Sequence, residues 1–316
     1  YSQCLAGTGT TTTPTTTSSK TTTTTTKTTT SSSKTTTTTK TSSTSTTKSS
    51  TTTTKTSTTS TTTTTTGSAS PTSANDLEGY ATMNGGTTGG AGGPTITVSS
   101  ISALRDAVNG TSPRIVRLET IIQGDGELID VGSNVSILGA CGGGLTGGGF
   151  RVKRGTNVIF RNLKLFKSKA PVDLIEIRTS TNIWVDHNEF YSDMDNGKDY
   201  YDGACDINHG SDWITVSWNY FHDHYKTSLV GNGDDNGAED IGHFHVTYHH
   251  NYFQHLGSRI PSLRFGTGHV YNNYYDDIKI SGIDSRLGAQ MLIENNVFVN
   301  AVKPLMTLEE GGYANP

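Results

Sequence analysis

Downstream of residue 95 the apolar positions recur in short β-type stretches, and only one stretch carries a helical period. That stretch is SSISALRDAV, residues 99–108, where Ile101, Leu104, Ala107 and Val108 fall on one face and predict a short amphipathic helix. The rest reads as strand material in related pieces: NVIFRNLKL, NIWVDHNEF, WITVSWNYF, HVTYHHNYF, HVYNNYY and MLIENNVF. Each piece carries Asn near its end, at Asn162, Asn188, Asn219, Asn251, Asn273 and Asn296, separated by 26, 31, 32, 22 and 23 residues. A strand in every unit at an irregular spacing of about two dozen residues predicts a solenoid. The leucine-rich consensus is missing, and a propeller needs about 40 residues and four strands per unit. A parallel β-helix fits: inward Ile, Val, Phe and Tyr stack turn on turn. The recurring Asn side chains pair along the axis and satisfy otherwise buried polar groups. These asparagines are therefore expected to be ladder rungs rather than catalytic groups. The units from Asn188 to Asn219 and from Asn219 to Asn251 are the longest. Such insertions in solenoids collect on one face, often the binding face.

Composition separates this region from what precedes it. From Gly9 to Gly67 the chain is almost wholly Thr, Ser and Lys, and the first 75 residues hold only six of the hydrophobic set, Tyr1, Cys4, Leu5, Ala6, Ala69 and Ala74. Without them the hydrophobic share rises from 31% to about 38%, enough for one core. A Thr/Ser tract cannot bury enough apolar surface to offset its chain entropy, so residues 8–75 are expected to form a disordered, O-glycosylated linker. Asn109-Gly-Thr111 and Asn134-Val-Ser136 fit N-glycan acceptors, and a secreted, extracellular glycoprotein is expected. Of the 24 basic residues, Lys20, Lys27, Lys34, Lys40, Lys48 and Lys55 face no acid before Asp76, so ten more acids than bases remain downstream, among 28 acidic residues in all. That excludes a generally basic nucleic-acid binder. No apolar run approaches the roughly 18 residues of a membrane-spanning helix. A monomer is expected.

Chemistry concentrates in the first long unit, where Asp193, Asp195, Asp199, Asp202 and Asp206 lie within fourteen residues. Carboxylates at that density repel unless solvent or a cation relieves them, and hard oxygen ligands select calcium. The spacing is not that of an EF-hand. Three cysteines, Cys4, Cys141 and Cys205, lack CxxC spacing; a buried Cys205 paired with Cys141 is one option. His187 follows Asp186 in VDH, where strand alternation sets the two on opposite faces, so a structural role is expected of it. His209, His222 and His224 show no zinc-like spacing.

WVDHNEF, DGACDINHGSDWITVSWNYFHDHYKTSLVG and RIPSLRFGTGHVYNNYY, with SILGACGGG and GYATMNGGTTGGAGG upstream, resemble the polysaccharide lyase family of pectate lyases from about residue 79 to the end. The resemblance implies an all-β, right-handed parallel β-helix over residues 76–316. It implies calcium-dependent β-elimination in pectate, the de-esterified homogalacturonan of plant cell walls, giving 4,5-unsaturated oligogalacturonides. Carried over by position, it makes Asp173, Asp202 and Asp206 calcium ligands, Lys226 a substrate-binding residue, Arg259 of RIPSLR the proton-abstracting base and Arg264 a binder of the substrate carboxylate. A further calcium aspartate found in some relatives is replaced here by Pro171. An arginine base implies an alkaline optimum. The rivals are pectin lyase, a polygalacturonase and a non-catalytic wall binder. Retained Asp202, Asp206 and Lys226 argue against the first, the missing NTD, GHG and RIK strings against the second, and retained Arg259, Lys226 and the aspartates against the third. YSQCLAG resembles the last residues of a small fungal cellulose-binding module, so residues 1–7 are expected to be its remnant, with cellulose as its partner. Family members continue beyond the point where LEEGGYANP ends, so a C-terminally short domain is expected.

Overall fold

The structure, a computed structural model, describes residues 76–307 and the backbone of 313–315. The septet 1–7 with its Cys4, the linker 8–75 and the C-terminal end lie outside the described residues.

The described chain is a parallel β-solenoid, with successive turns each laying one strand on three sheets of ten, eight and eight strands. Every pairing between named strands is parallel, which requires the long, covered crossovers that a coil supplies. Inside, like stacks on like. Phe190, Phe221, Phe253, Tyr275 and Phe298 form a column through the second sheet, with successive ring centroids 4.5, 5.2, 4.9 and 4.4 Å apart. Those gaps match the strand spacing of about 4.8 Å, so register and ring stacking reinforce each other. Phe190, Phe221, Phe253 and Tyr275 are fully buried, and each such side chain contributes about 1.5–3 kcal/mol of burial.

The asparagine ladder runs through the corner between the first and second sheets. Asn188, Asn219, Asn251, Asn273 and Asn296 are linked in series: the Oδ1 of each higher rung accepts from both the backbone N and the Nδ2 of the rung below, at 2.9–3.1 Å. Asn162 is not a rung. The backbone N of Leu163 donates to Asn188 Oδ1, so Leu163 holds the rung position, while Asn162 is exposed at a turn with φ 59°. It aligns with His187, Trp218, His250, Asn272 and Asn295, all at positive φ. Asn tolerates the left-handed region better than most residues, which is why the same residue type serves both neighbouring positions.

The predicted helix is Ile101–Val108, capped by Ser100, whose side chain accepts from Ala103 N, and its Leu104, Ala107 and Val108 are buried. Residues 79–93 run along the outside of the first sheet and use its polar side chains as acceptors: Tyr80 N on Thr247, Ala81 N on Thr215, Gly89 N on Asn157 and Gly90 N on Ser136. The approach is so close that a Cβ on Gly90 would stand 1.7 Å from the Arg114 carbonyl oxygen. Among the described residues no helix is long and apolar enough to cross a membrane.

The extra length of the two long units lies in residues 192–204, before the third-sheet strand Cys205–Asn208, and in 231–244, after the third-sheet strand Leu229–Val230. Both insertions therefore border the third sheet, but at opposite edges: the first lies between the second and third sheets and the second between the third and first, so they do not share a corner as the expectation of one face implied.

Candidate active site

Strand alternation in Cys205–Asn208 sends Cys205 and Ile207 into the core and Asp206 and Asn208 outward. Asp173 lies one turn below, just ahead of strand Ile175–Arg178. Asp202 closes the 192–204 insertion, Lys226 ends strand Tyr220–Lys226 on the second sheet, and Arg259 follows Ser258, the register partner of Lys226 one turn up. Consecutive turns thus carry five of the six expected residues to the corner between the second and third sheets. The contacts bear this out: Lys226 Nζ is 3.3 Å from Asp202 Oδ1 and 2.9 Å from Asp199, and Arg259 Nη1 is 4.0 Å from Asp206 Oδ2. Arg264, at the end of strand Ser262–Arg264, is held instead by Asp234 at 2.6 Å and the Gly231 carbonyl at 3.1 Å.

Backbone donors fix two of the aspartates. Gly203 N donates to Asp173 Oδ1 at 2.7 Å, and Leu229 N donates to Asp206 Oδ1 at 2.9 Å. Position 203 has to be glycine, since a Cβ there would stand 2.4 Å from the carboxylate carbon of Asp206. His224, almost fully buried, bonds the carbonyl of Asp202 through Nε2 at 2.7 Å. A carbonyl only accepts, so Nε2 carries the proton.

Burial, and then repulsion from Asp206 and Asp202, push the Asp173 carboxyl far above the ordinary carboxylate range. Burial also raises Asp206, although Arg259 and the Leu229 amide pull the other way. Burial works against the Lys226 ammonium, but Asp199 and Asp202 outweigh it and leave its pKa raised, so it stays a cation. Burial holds His224 neutral, with a pKa of about 4.

The trio suits a hard cation by its chemistry, being all oxygen donors with crowded negative charge that a cation would relieve. Its side chains converge without closing: among the described residues no three His, Cys, Asp or Glu groups stand close enough to hold a metal ion as they are.

Two expectations are corrected here. Cys205 is a buried free thiol and is not paired with Cys141, because alternation points it into the core, where burial pushes its pKa up. His187 does not face away from Asp186. Its φ of 54° ends the alternation and brings Nδ1 within 2.7 Å of Asp186 Oδ2, on the first sheet and not on the sheet of the aspartates. Its role is structural as expected: Asp186 also takes Ser217 at 2.7 Å and Arg161 at 2.9 Å. His209 pairs with Glu239 and His222 with Asp223. Sequence reasoning missed Asp234 as a partner of Arg264, Asp199 as a partner of Lys226, and His224 as a prop for Asp202. Only the first of these has no warning sign in the sequence, since Asp199 sits in the acidic run and His224 in HDHYKTS.

A family model described as pectate lyase matches residues 54–312. Pectate lyase A of Emericella nidulans is 53% identical over 235 residues, covering 74% of this chain and 72% of that protein. Probable pectate lyase B of Aspergillus terreus is 44% identical over 236 residues, with the same coverage of 74% and 72%. Among solved structures, the pectate lyase Bsp165PelA from Bacillus sp. N165 in complex with trigalacturonate is similar at 37% identity and a TM-score of 0.66, covering 70% of this chain and 74% of that one.

Proposed function

The chain belongs to the pectate lyase family, and from that premise we propose that it cleaves de-esterified homogalacturonan by calcium-dependent β-elimination, releasing 4,5-unsaturated oligogalacturonides. The observation that carries the reading is the corner where Lys226 lies 3.3 Å from Asp202 and Arg259 lies 4.0 Å from Asp206. Oppositely charged groups are placed there so that a uronate can meet cations while an acid cluster stands behind them. The solved relative in complex with trigalacturonate supports an oligouronide as the ligand.

Asp173, Asp202 and Asp206 would hold a calcium ion, which when bound supplies positive charge against the uronate carboxylate. Lys226 and Arg264 bind that carboxylate and offset the negative charge that grows on it as the C5 proton leaves. Lys226 suits this because its acidic neighbours keep it protonated. Arg259 takes the proton from C5, the C5–H electrons form the C4–C5 double bond, and the glycosidic oxygen leaves C4 with the C4–O electron pair and takes a proton from water. Arg259 is about one third exposed, enough to meet a substrate at this corner. A guanidinium must lose its own proton before it can act as a base, so activity should rise toward alkaline pH.

The Thr/Ser-rich tract and the exposed sequon Asn109–Thr111 support secretion to the extracellular space, where plant wall pectin is found. The deciding experiment is absorbance of the unsaturated product on polygalacturonate at about pH 8.5, with calcium and then with excess chelator. Calcium-dependent absorbance that Arg259→Ala abolishes is expected. Equal rates in chelator would point to a pectin lyase, and cleavage without absorbance to a hydrolase.

A further inference from the structure

Parallel register lines up a second outward row on the third sheet: Arg178, Asn208, Gly231, Arg264 and Arg286 on successive strands or at their ends. Arg264 and Arg286 are direct register partners, so two guanidinium-bearing backbones stand about 4.8 Å apart. Like charges at that separation repel unless something lies between them. Asp234 lies there. Its Oδ1 is 2.6 Å from Arg264 Nε and 3.5 Å from Arg286 Nη2. It reaches the pair from the insertion that begins at Gly231, whose φ is +98°, and a Cβ at Gly231 would press on Arg264 Cβ at 2.8 Å.

We propose that Asp234 is a positioning residue for substrate binding: it fixes the Arg264 guanidinium so that Nη2 is left for a uronate carboxylate. The geometry is specific. Asp234 takes Nε and the Gly231 carbonyl takes Nη1, two anchors on one planar fork, so the plane is set and Nη2 is left for the ligand. Arg264 is almost buried, whereas Asp234 is 55% exposed, so the acid contributes orientation at the surface rather than core packing. A guanidinium held in one plane loses less freedom when it binds a carboxylate, and that gain appears in substrate affinity. Asp234 also shields Arg264 from Arg286, which keeps both side chains in place on adjacent strands. The inference rests on the reading of Arg264 as a carboxylate binder.

The test is steady-state kinetics on polygalacturonate with saturating calcium, comparing Asp234→Ala, Asp234→Asn and Arg264→Gln with the parent. Asp234→Ala should raise KM about tenfold, in the range for lost outer-shell partners, with kcat within about twofold and the thermal midpoint nearly unchanged. Asp234→Asn, which keeps an acceptor for Nε but not the charge, should fall between. A KM for Asp234→Ala equal to or below that of the parent overturns the proposal; a lower one would make Asp234 a competitor of the substrate. If Arg264→Gln raises KM and Asp234→Ala does not, the proposal alone fails. If Arg264→Gln leaves KM unchanged, the carboxylate-binding reading fails and the proposal falls with it.

Discussion

Replacing Asn219 by Ala removes the rung that joins Asn188 to the three rungs above it. Its Oδ1 accepts from Asn188 N at 2.9 Å and Asn188 Nδ2 at 3.0 Å; its Nδ2 donates to the Val185 carbonyl at 2.9 Å and Asn251 Oδ1 at 3.1 Å. Asn251 Oδ1 keeps the backbone N of Asn219, and Asn188 Nδ2 keeps the Phe160 carbonyl. What is left without its partner is the buried Asn188 N–H, one hydrogen of Asn188 Nδ2 and one contact of the Val185 carbonyl. A buried polar group stranded in this way costs about 1–3 kcal/mol, and water cannot reach a site where Asn188 and Asn219 are 2% and 1% exposed. Two stranded donors and a small cavity should therefore cost about 3–5 kcal/mol. In a domain of this size each kcal/mol lowers the melting midpoint by about 2–4 °C, so a fall of about 10 °C is expected. Asn162→Ala is the control. It removes an exposed turn residue and should cost about 1 kcal/mol, the strain of Ala at positive φ. Equilibrium urea denaturation of both variants measures the difference. An Asn219→Ala loss under about 1 kcal/mol, or an equal loss in Asn162→Ala, would refute both the ladder energetics and the revised alignment.

Two further outcomes bear on the carboxylates. Asp173 is raised by burial and by its acidic neighbours, so its stabilising contribution is present below the ordinary Asp pKa and lost as pH rises toward the folded value. In chelator, Asp173→Asn should be more stable than the parent by about 1–3 kcal/mol at pH 8 and no more stable at pH 4. Added calcium should stabilise the parent and not the variant, and a destabilised variant in chelator at pH 8 contradicts the electrostatics. For His224, calcium affinity by titration calorimetry should fall about tenfold in His224→Leu, which cannot donate to the Asp202 carbonyl. It should stay within about threefold of the parent in His224→Gln, whose Nε2 can replace the imidazole donor. Equal affinities in the two variants would reduce His224 to core packing.

Which features can be read from a solenoid sequence follows from the direction in which they are encoded. Contacts along the axis repeat, so they leave a repeated pattern: the Asn188 to Asn296 rungs and the aromatic column from Phe190 to Phe298 were legible because each turn places the same or a similar residue on the last. The one slip, Asn162, came from a letter with two meanings in adjacent positions, since Asn suits both a ladder and a left-handed turn. Contacts across the corner between two sheets do not repeat. Lys226 meets Asp202, and Arg259 approaches Asp206, only because strands of unequal length end at the same corner. Family resemblance could place those residues; periodicity could not. Cys205 marks the boundary between the two kinds of information: the alternation that turns Asp206 outward also buries Cys205, so local pattern already argued against a reach to Cys141. Asp234 lies beyond both. In GNGDDNG it reads as one more solvated loop acid, and only the register that sets Arg264 beside Arg286 makes it a bridge. Residues that tune such a site should therefore be sought in the insertions bordering the third sheet. There an exposed side chain can reach a charged group on the sheet without disturbing the stack that holds the sheet together.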